Sequence, residues 1–168
     1  MNNNTANTIP GEFGNCLACS CDGSLLAVSN KTFSKPIYLF DTQTMQCVGR
    51  FTDHITTDFS ATISQLCFSP DNQLLVAASG NNEIHVWNIK TGQHQGVLKE
   101  KNICSMSALR FSADSKLLAF ILRDHTVHIF DILTAIAYMN TLVIASQLMT
   151  FVFHLMANIS LQLLMTAL

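Results

Sequence analysis

The stretch Leu66-Cys-Phe-Ser-Pro-Asp-Asn-Gln-Leu-Leu-Val-Ala-Ala-Ser79, followed by Ile84-His-Val-Trp-Asn88, decides the fold. An apolar segment runs into a Ser-Pro-Asp-Asn turn, where the Asp side chain can bond to its own backbone and reverse the chain. A near-continuous apolar segment of strand length follows, which indicates a strand buried on both faces. The next segment alternates between apolar and polar residues, which is typical of a further strand. The pattern therefore predicts an antiparallel meander.

The same pattern occurs once before and once after this stretch. Turn aspartates recur at intervals of 49 and 43 residues, and the aromatic residues of the alternating segment recur at intervals of 47 and 43 residues. The two sets are Asp22, Asp71 and Asp114, and Phe40, Trp87 and Phe130. Two markers with matching spacing indicate a repeat of roughly 43 to 49 residues, which is the period of a propeller blade.

The units resemble WD40 repeats, over about residues 13 to 134. The resemblance is best in the middle unit, where Phe68-Ser-Pro-Asp71 and Ile84-His-Val-Trp-Asn88 match the most diagnostic stretches of the family. It implies an all-β fold, a partial β-propeller of about three four-stranded antiparallel blades, because known propellers close with four to eight. The expected units are a disordered segment 1–12 and three repeats at about 13–55, 56–101 and 102–134.

The resemblance also assigns structural positions within each repeat. The Trp-Asp pair of the family corresponds to the three aromatic residues above with the polar residue that follows each, namely Asp41, Asn88 and Asp131. The buried hydrogen-bonded network of the family implies structural roles for His54 and for the turn residues Asn81 and Asp124. Only the middle unit keeps the tryptophan of that network.

The C-terminal segment 135–168 has a different composition from the repeats. No Asp, Glu, Lys or Arg follows Asp131, and no repeat marker occurs in the segment. We expect this apolar tail to be helical. It fits a membrane helix with a core such as Leu142 to Leu161, which is long enough to span a bilayer, or a soluble cap over the exposed blade face. We favour a third interpretation, an extension from alternative splicing, because the pattern breaks inside a blade at Thr134-Ala135.

Cysteine and histidine are the candidate metal ligands. Cys16-x-x-Cys19-x-Cys21 lacks the second ligand pair that zinc would need nearby, so we interpret it as core cysteine, with Cys19 at the inward position of Phe68 in the next repeat. His85 and His128 lie one repeat apart, and we interpret them as surface residues on the exposed side of the third strand.

Catalytic motifs are absent from the sequence: it has no Gly-rich phosphate loop, no serine elbow and no paired carboxylates. The turn aspartates recur in separate repeats and cannot converge on one substrate atom. We therefore expect no enzyme, no cofactor and no bound metal. The formal net charge of -2 gives no reason to expect nucleic acid as a partner.

The sequence predicts a non-enzymatic protein-interaction scaffold, a truncated isoform or fragment of a larger WD-repeat protein. The expected partners are other proteins, and membrane contact is expected only through residues 135–168. The N-terminus has no secretory signal, so we expect an intracellular location, cytoplasmic or nuclear. The alternative is a membrane-tethered β-domain anchored by the tail.

Overall fold

The structure is a computed structural model that describes residues 13–30, 36–52, 62–80, 82–99, 106–122, 127–132 and 141–144. These residues form β-strands joined by turns. The strands in chain order are β1 Phe13–Cys19, β2 Leu25–Asn30, β3 Ile37–Asp41, β4 Cys47–Phe51, β5 Ile63–Phe68, β6 Leu74–Ser79, β7 Glu83–Asn88, β8 His94–Lys99, β9 Met106–Phe111, β10 Leu117–Leu122, β11 Val127–Asp131 and β12 Thr141–Ile144.

The strands form three four-stranded antiparallel sheets, in the orders β1-β2-β3-β4, β5-β6-β7-β8 and β9-β10-β11-β12. Each strand pairs with the next one along the chain, as a meander requires. The turn between the first and second strand of each sheet contains a residue in the left-handed region: Gly23 (φ 72°), Asn72 (φ 56°) and Ser115 (φ 62°). Glycine tolerates this conformation best because it has no Cβ, and Asn is the next best suited. The predicted all-β repeat is confirmed.

The sheets pack face to face in two seams. The first seam joins the first and second sheets, and the second seam joins the second and third sheets. Successive residues of β6 point to opposite faces: Leu75 and Ala77 lie in the first seam, whereas Val76 and Ala78 lie in the second. Because both faces are covered, the residues of the strand from Leu74 to Ala78 are all apolar. This explains the near-continuous apolar segment.

Trp87 lies within the first seam and is fully buried. Its ring centroid lies 5.5 Å from that of Phe51, which belongs to the first sheet, and 5.6 Å from the stacked imidazole of His85. The equivalent aromatic residues Phe40 and Phe130 are also buried. The aromatic marker of the repeat is therefore a packing residue.

The tail differs from expectation where the structure describes it. Residues 141–144 form β12, which pairs with β11 between Val127↔Ile144 and Phe130↔Thr141. For these four residues the prediction of a helix is wrong, because their backbone groups bond to the outer edge of β11. The strand completes the third sheet beyond residue 134, where we expected the repeat to end. The remainder of the tail and the N-terminal segment 1–12 lie outside the described residues.

The predicted membrane core Leu142 to Leu161 has its first three residues in β12. Among the residues that the structure describes, none forms a helix with the length and apolarity of a membrane span.

Truncation of the buried indole tests the first seam. Trp87→Ala should lower the free energy of unfolding by about 3–5 kcal/mol, because it leaves a cavity where two sheets meet. Trp87→Phe copies the residue of the other two repeats and should cost less, roughly 1–2 kcal/mol. Urea unfolding followed by far-UV circular dichroism measures both variants. A negligible loss for Trp87→Ala would show that the buried indole does not stabilise the seam.

Candidate protein-interaction surface

The three predicted turn aspartates lie in equivalent turns, and each accepts a hydrogen bond from the serine two residues earlier. The Oγ–Oδ1 distance is 2.6 Å for Ser20 and Asp22, and also 2.6 Å for Ser112 and Asp114; Ser69 and Asp71 form the same bond. The serine oxygen in turn accepts the backbone N–H that opens the next strand, at 2.9 Å in every repeat. The carboxylates are thus engaged within their own turns.

Neighbouring turns are also joined to one another, which the sequence did not indicate. Asn72 Oδ1 accepts the backbone N–H of Cys21 at 2.9 Å, and Ser115 Oγ accepts that of Asp71 at 3.1 Å. Asn72 and Ser115 both occupy the left-handed position of their turns. The same turn position therefore carries a side chain that reaches the preceding repeat. Such a contact depends on how the sheets stack, so a single repeat contains no signal for it.

The polar residues that follow the aromatic marker cap the next turn. Asp41 Oδ1 accepts the backbone N–H groups of Gln43 and Thr44 at 3.0 and 2.7 Å, and Asn88 Oδ1 accepts that of Thr91 at 2.9 Å. The N–H of Thr44 is the main cause that lowers the pKa of Asp41. Accepting the backbone N–H groups of this turn requires a carbonyl-type oxygen and no charge, which explains how Asn replaces Asp in the middle repeat.

The remaining predicted positions fall at or beyond the end of described segments. Asp131 lies half-buried at the end of β11. His54, Asn81 and Asp124 lie outside the described residues, so their predicted roles stay predictions.

The interpretation of His85 and His128 as surface residues is wrong. Their exposed fractions are 2% and 8%. His85 stacks on Trp87, and its Nδ1 lies 3.2 Å from Nε2 of His94. His128 stacks on Phe120 with ring centroids 5.0 Å apart. The alternation of apolar and polar residues in the third strand suggested one solvent-exposed face, but both faces of an inner strand lie against other residues.

The interpretation of the thiol cluster as core is wrong for Cys19 and Cys21, which are exposed. Cys16 is half-buried and donates a hydrogen bond from Sγ to the carbonyl of Ile63 at 3.4 Å; burial raises the pKa of its thiol. Cys19 differs from its equivalent, Phe68, because no described sheet covers its side of β1. In the described part of the chain, no group of three or more His, Cys, Asp or Glu residues could hold a metal ion.

The outer flank of the first sheet is the most exposed apolar surface of the described chain. Opposed residues of antiparallel strands share a face, so the register Leu17↔Val28 and Val28↔Tyr38 places these side chains away from the first seam. Within the described residues, the exposed large hydrophobic side chains are Leu17 at 70% and Val48 at 56%. The register assigns Leu17, Cys19, Leu26, Tyr38 and Arg50 to this outer flank, together with Val28 and Phe40, which are buried.

A polar group lies at the margin of the outer flank. The Arg50 guanidinium lies over the Tyr38 ring, 5.5 Å from its centroid, which is within the range of a cation–π contact. The flank thus combines an apolar surface with an exposed cation at its edge, as interface cores and rims do.

Comparison with known families identifies the repeat. The WD40 family, described as WD domain, G-beta repeat, matches residues 45–88. Residues 45–88 are therefore similar to one WD40 repeat. The matched segment begins at β4, the last strand of the first sheet, and ends with β7, the third strand of the second sheet. One WD40 sequence unit therefore contributes strands to two adjacent sheets, which ties each sheet to its neighbour through the chain itself.

The turn network makes stability depend on pH in a defined direction. The Ser20 hydroxyl, followed by the N–H and hydroxyl of Ser24, lowers the pKa of Asp22 to about 2, against about 3.9 in an unfolded chain. A carboxyl whose folded pKa is lowered stabilises the fold above its unfolded pKa, and this stabilisation is lost as the pH falls through the folded value. As the pH falls from about 5 to about 2, protonation of Asp22 should therefore lower the stability of the wild type. Asp22→Asn lacks this carboxyl, so this part of the loss should not occur in the variant.

Thermal unfolding of the wild type and Asp22→Asn across this pH range measures the effect. The control is Gln43→Asn, a change of an exposed amide that leaves all carboxyl groups in place, and it should follow the wild type. Parallel pH profiles for the wild type and Asp22→Asn would contradict the role of this carboxylate.

Proposed function

We propose that this chain is a non-enzymatic protein-interaction module whose partner binds the outer flank of the first sheet. WD40 repeats are typical of protein-binding scaffolds, and the observation that carries the proposal for this surface is the exposure of Leu17. A side chain of this size at 70% exposure leaves apolar area in water that a partner would remove at a gain of about 25 cal/mol per Å².

The partner that best fits the outer flank is the flank of another WD40-type sheet. Leu17 and Leu26 correspond in the repeat to Leu66 and Leu75 of the second sheet. Leu66 and Leu75 are 6% and 0% exposed because the first sheet covers them in the first seam. The outer flank is therefore a surface of the same kind as one that this chain already buries against a sheet.

The proposal extends to the architecture of the parent molecule. The described residues supply three sheets, whereas closed propellers have four to eight blades. We infer that this chain is a truncated isoform or fragment of a larger WD-repeat protein, and that its partners complete the ring. An open arc leaves each end sheet without a neighbour on one side, which is unfavourable. Association with further sheets would remove this unfavourable exposure.

The chemistry of the chain supports binding rather than catalysis. It also supports an intracellular location. The turn carboxylates are occupied by hydrogen bonds within separate turns. Cys19, Cys21 and Cys47 are exposed free thiols, which suit a reducing compartment such as the cytoplasm or nucleus.

Charge insertion on the outer flank tests the proposed surface. Leu17→Glu in the full chain should reduce partner binding by about tenfold or more, because it removes an apolar contact and buries a charge in the interface. The matched control is Gln95→Glu, which adds the same charge at an exposed position of β8 in the second sheet. Affinity capture from cell extract with quantitative mass spectrometry compares the wild type and both variants.

The expected result is a set of proteins retained by the wild type and Gln95→Glu and depleted with Leu17→Glu. Circular dichroism of each purified variant establishes that it is folded. An identical set of bound proteins for all three chains would rule out the outer flank as the binding surface.

A further inference from the structure

The second sheet holds two histidines in contact on neighbouring strands. His85 lies on β7, and His94 begins β8, which is the edge strand of the sheet. Nδ1 of His85 lies 3.2 Å from Nε2 of His94, and the ring centroids are 5.4 Å apart. His85 is 2% exposed, whereas His94 is half-buried. One nitrogen of a buried imidazole is thus aimed at a second imidazole that water can reach.

The separation of these two nitrogen atoms suits a shared metal ion. A tetrahedral ion such as Zn²⁺ takes histidine nitrogens at about 2.0–2.1 Å, which places two of its nitrogen ligands about 3.3 Å from each other. The distance of 3.2 Å between His85 and His94 matches this value. Without an ion, the same two atoms share one proton in a hydrogen bond. Neutral imidazole is a ligand that suits Zn²⁺, Ni²⁺ and Cu²⁺.

Glu83 orients His85 for this role. Its Oε2 lies 3.4 Å from Nε2, the second ring nitrogen of His85. A carboxylate at this position favours the tautomer that carries its proton on Nε2, which leaves the lone pair of Nδ1 for a ligand. Metal-binding histidines usually have such a partner at their second nitrogen. The Lys99 ammonium lies 2.8 Å from the other oxygen, Oε1, and holds the carboxylate in place.

The number of protein ligands determines what kind of metal site this is. Within the described parts of the chain, no group of three or more His, Cys, Asp or Glu residues could hold an ion, so water has to occupy the positions beyond the histidine pair. Structural zinc sites use four protein ligands, and the fold then depends on the metal. A site with two protein ligands exchanges its ion, and the apolar seams fold the sheet without it.

We propose that His85 and His94 bind one divalent transition-metal ion of the Zn²⁺, Ni²⁺ and Cu²⁺ class through Nδ1 and Nε2, with water at the remaining positions. The ion would lie beside Trp87, whose ring centroid is 5.6 Å from that of His85 and 5.4 Å from that of His94. The two ligands are nine residues apart, and only the pairing of β7 with β8 brings them together. The proposal does not depend on partner binding at the outer flank.

Tryptophan fluorescence tests the site, because Trp87 is the only tryptophan of the chain. Ni²⁺, which quenches a nearby indole, is titrated into the purified full chain at neutral pH in a buffer that does not bind metals. The exposed thiols are first alkylated so that they do not compete for the ion; they are Cys19, Cys21 and Cys47.

Two variants and one control accompany the wild type. His94→Gln removes a ligand but keeps a polar side chain at a half-buried position, and Glu83→Gln removes the orienting carboxylate. The matched control is Gln95→Asn, a change of an exposed amide on the same strand. Circular dichroism of each protein establishes that it is folded.

The expected result is saturable quenching of Trp87 in the wild type and in Gln95→Asn, reversed by EDTA and by competition with Zn²⁺. Loss of a carboxylate partner typically weakens metal binding about 10–100-fold, so Glu83→Gln should fall in this range and His94→Gln at or beyond its upper end. The absence of saturable quenching in the folded wild type would overturn the proposal. Quenching that is equally strong in folded His94→Gln would also overturn it, because the ion would then be bound elsewhere.

Discussion

The structure depends on face-to-face packing in which neighbouring residues of one strand serve two different seams. Val76 and Ala77 are adjacent in β6 but are buried against different sheets. The second sheet is therefore stabilised by packing against the sheets on either side of it as well as by its own hydrogen bonds. Stability of this kind is a sum of nearest-neighbour terms, as in other repeat proteins.

This dependence leaves sheet faces without a described neighbouring sheet only at the two ends of the arc. An inner sheet such as the second has both faces occupied, so its apolar residues are unavailable to a partner. The end sheets each have one face that no described sheet covers, and the two faces differ. Leu17 on the first sheet is exposed, whereas Ile129 on the third is buried. The proposed partner site lies on the face of the first sheet.

Polar groups in this fold stabilise turns and connect neighbouring repeats. The serine–aspartate pairs satisfy the backbone groups at the start of each second strand, and Asn72 and Ser115 carry hydrogen bonds from one turn to the preceding one. Because these oxygens are engaged locally, the turn aspartates Asp22, Asp71 and Asp114 stabilise the turns of the repeat. The acceptor role of Asn88 at a position where the other repeats have Asp is consistent with this interpretation.

The sequence by itself determined the strands, the turns and their repetition, because these follow from local periodicity and from turn chemistry within a few residues. It also indicated which strands are buried on both faces, as β6 shows. Only the tertiary structure decided the burial of His85 and His128, the exposure of Cys19 and the addition of residues 141–144 to the third sheet. Those outcomes depend on which chain lies against a given face or edge. A residue in a repeat is buried or exposed according to the presence of a neighbouring unit, and its own sequence context does not contain that information.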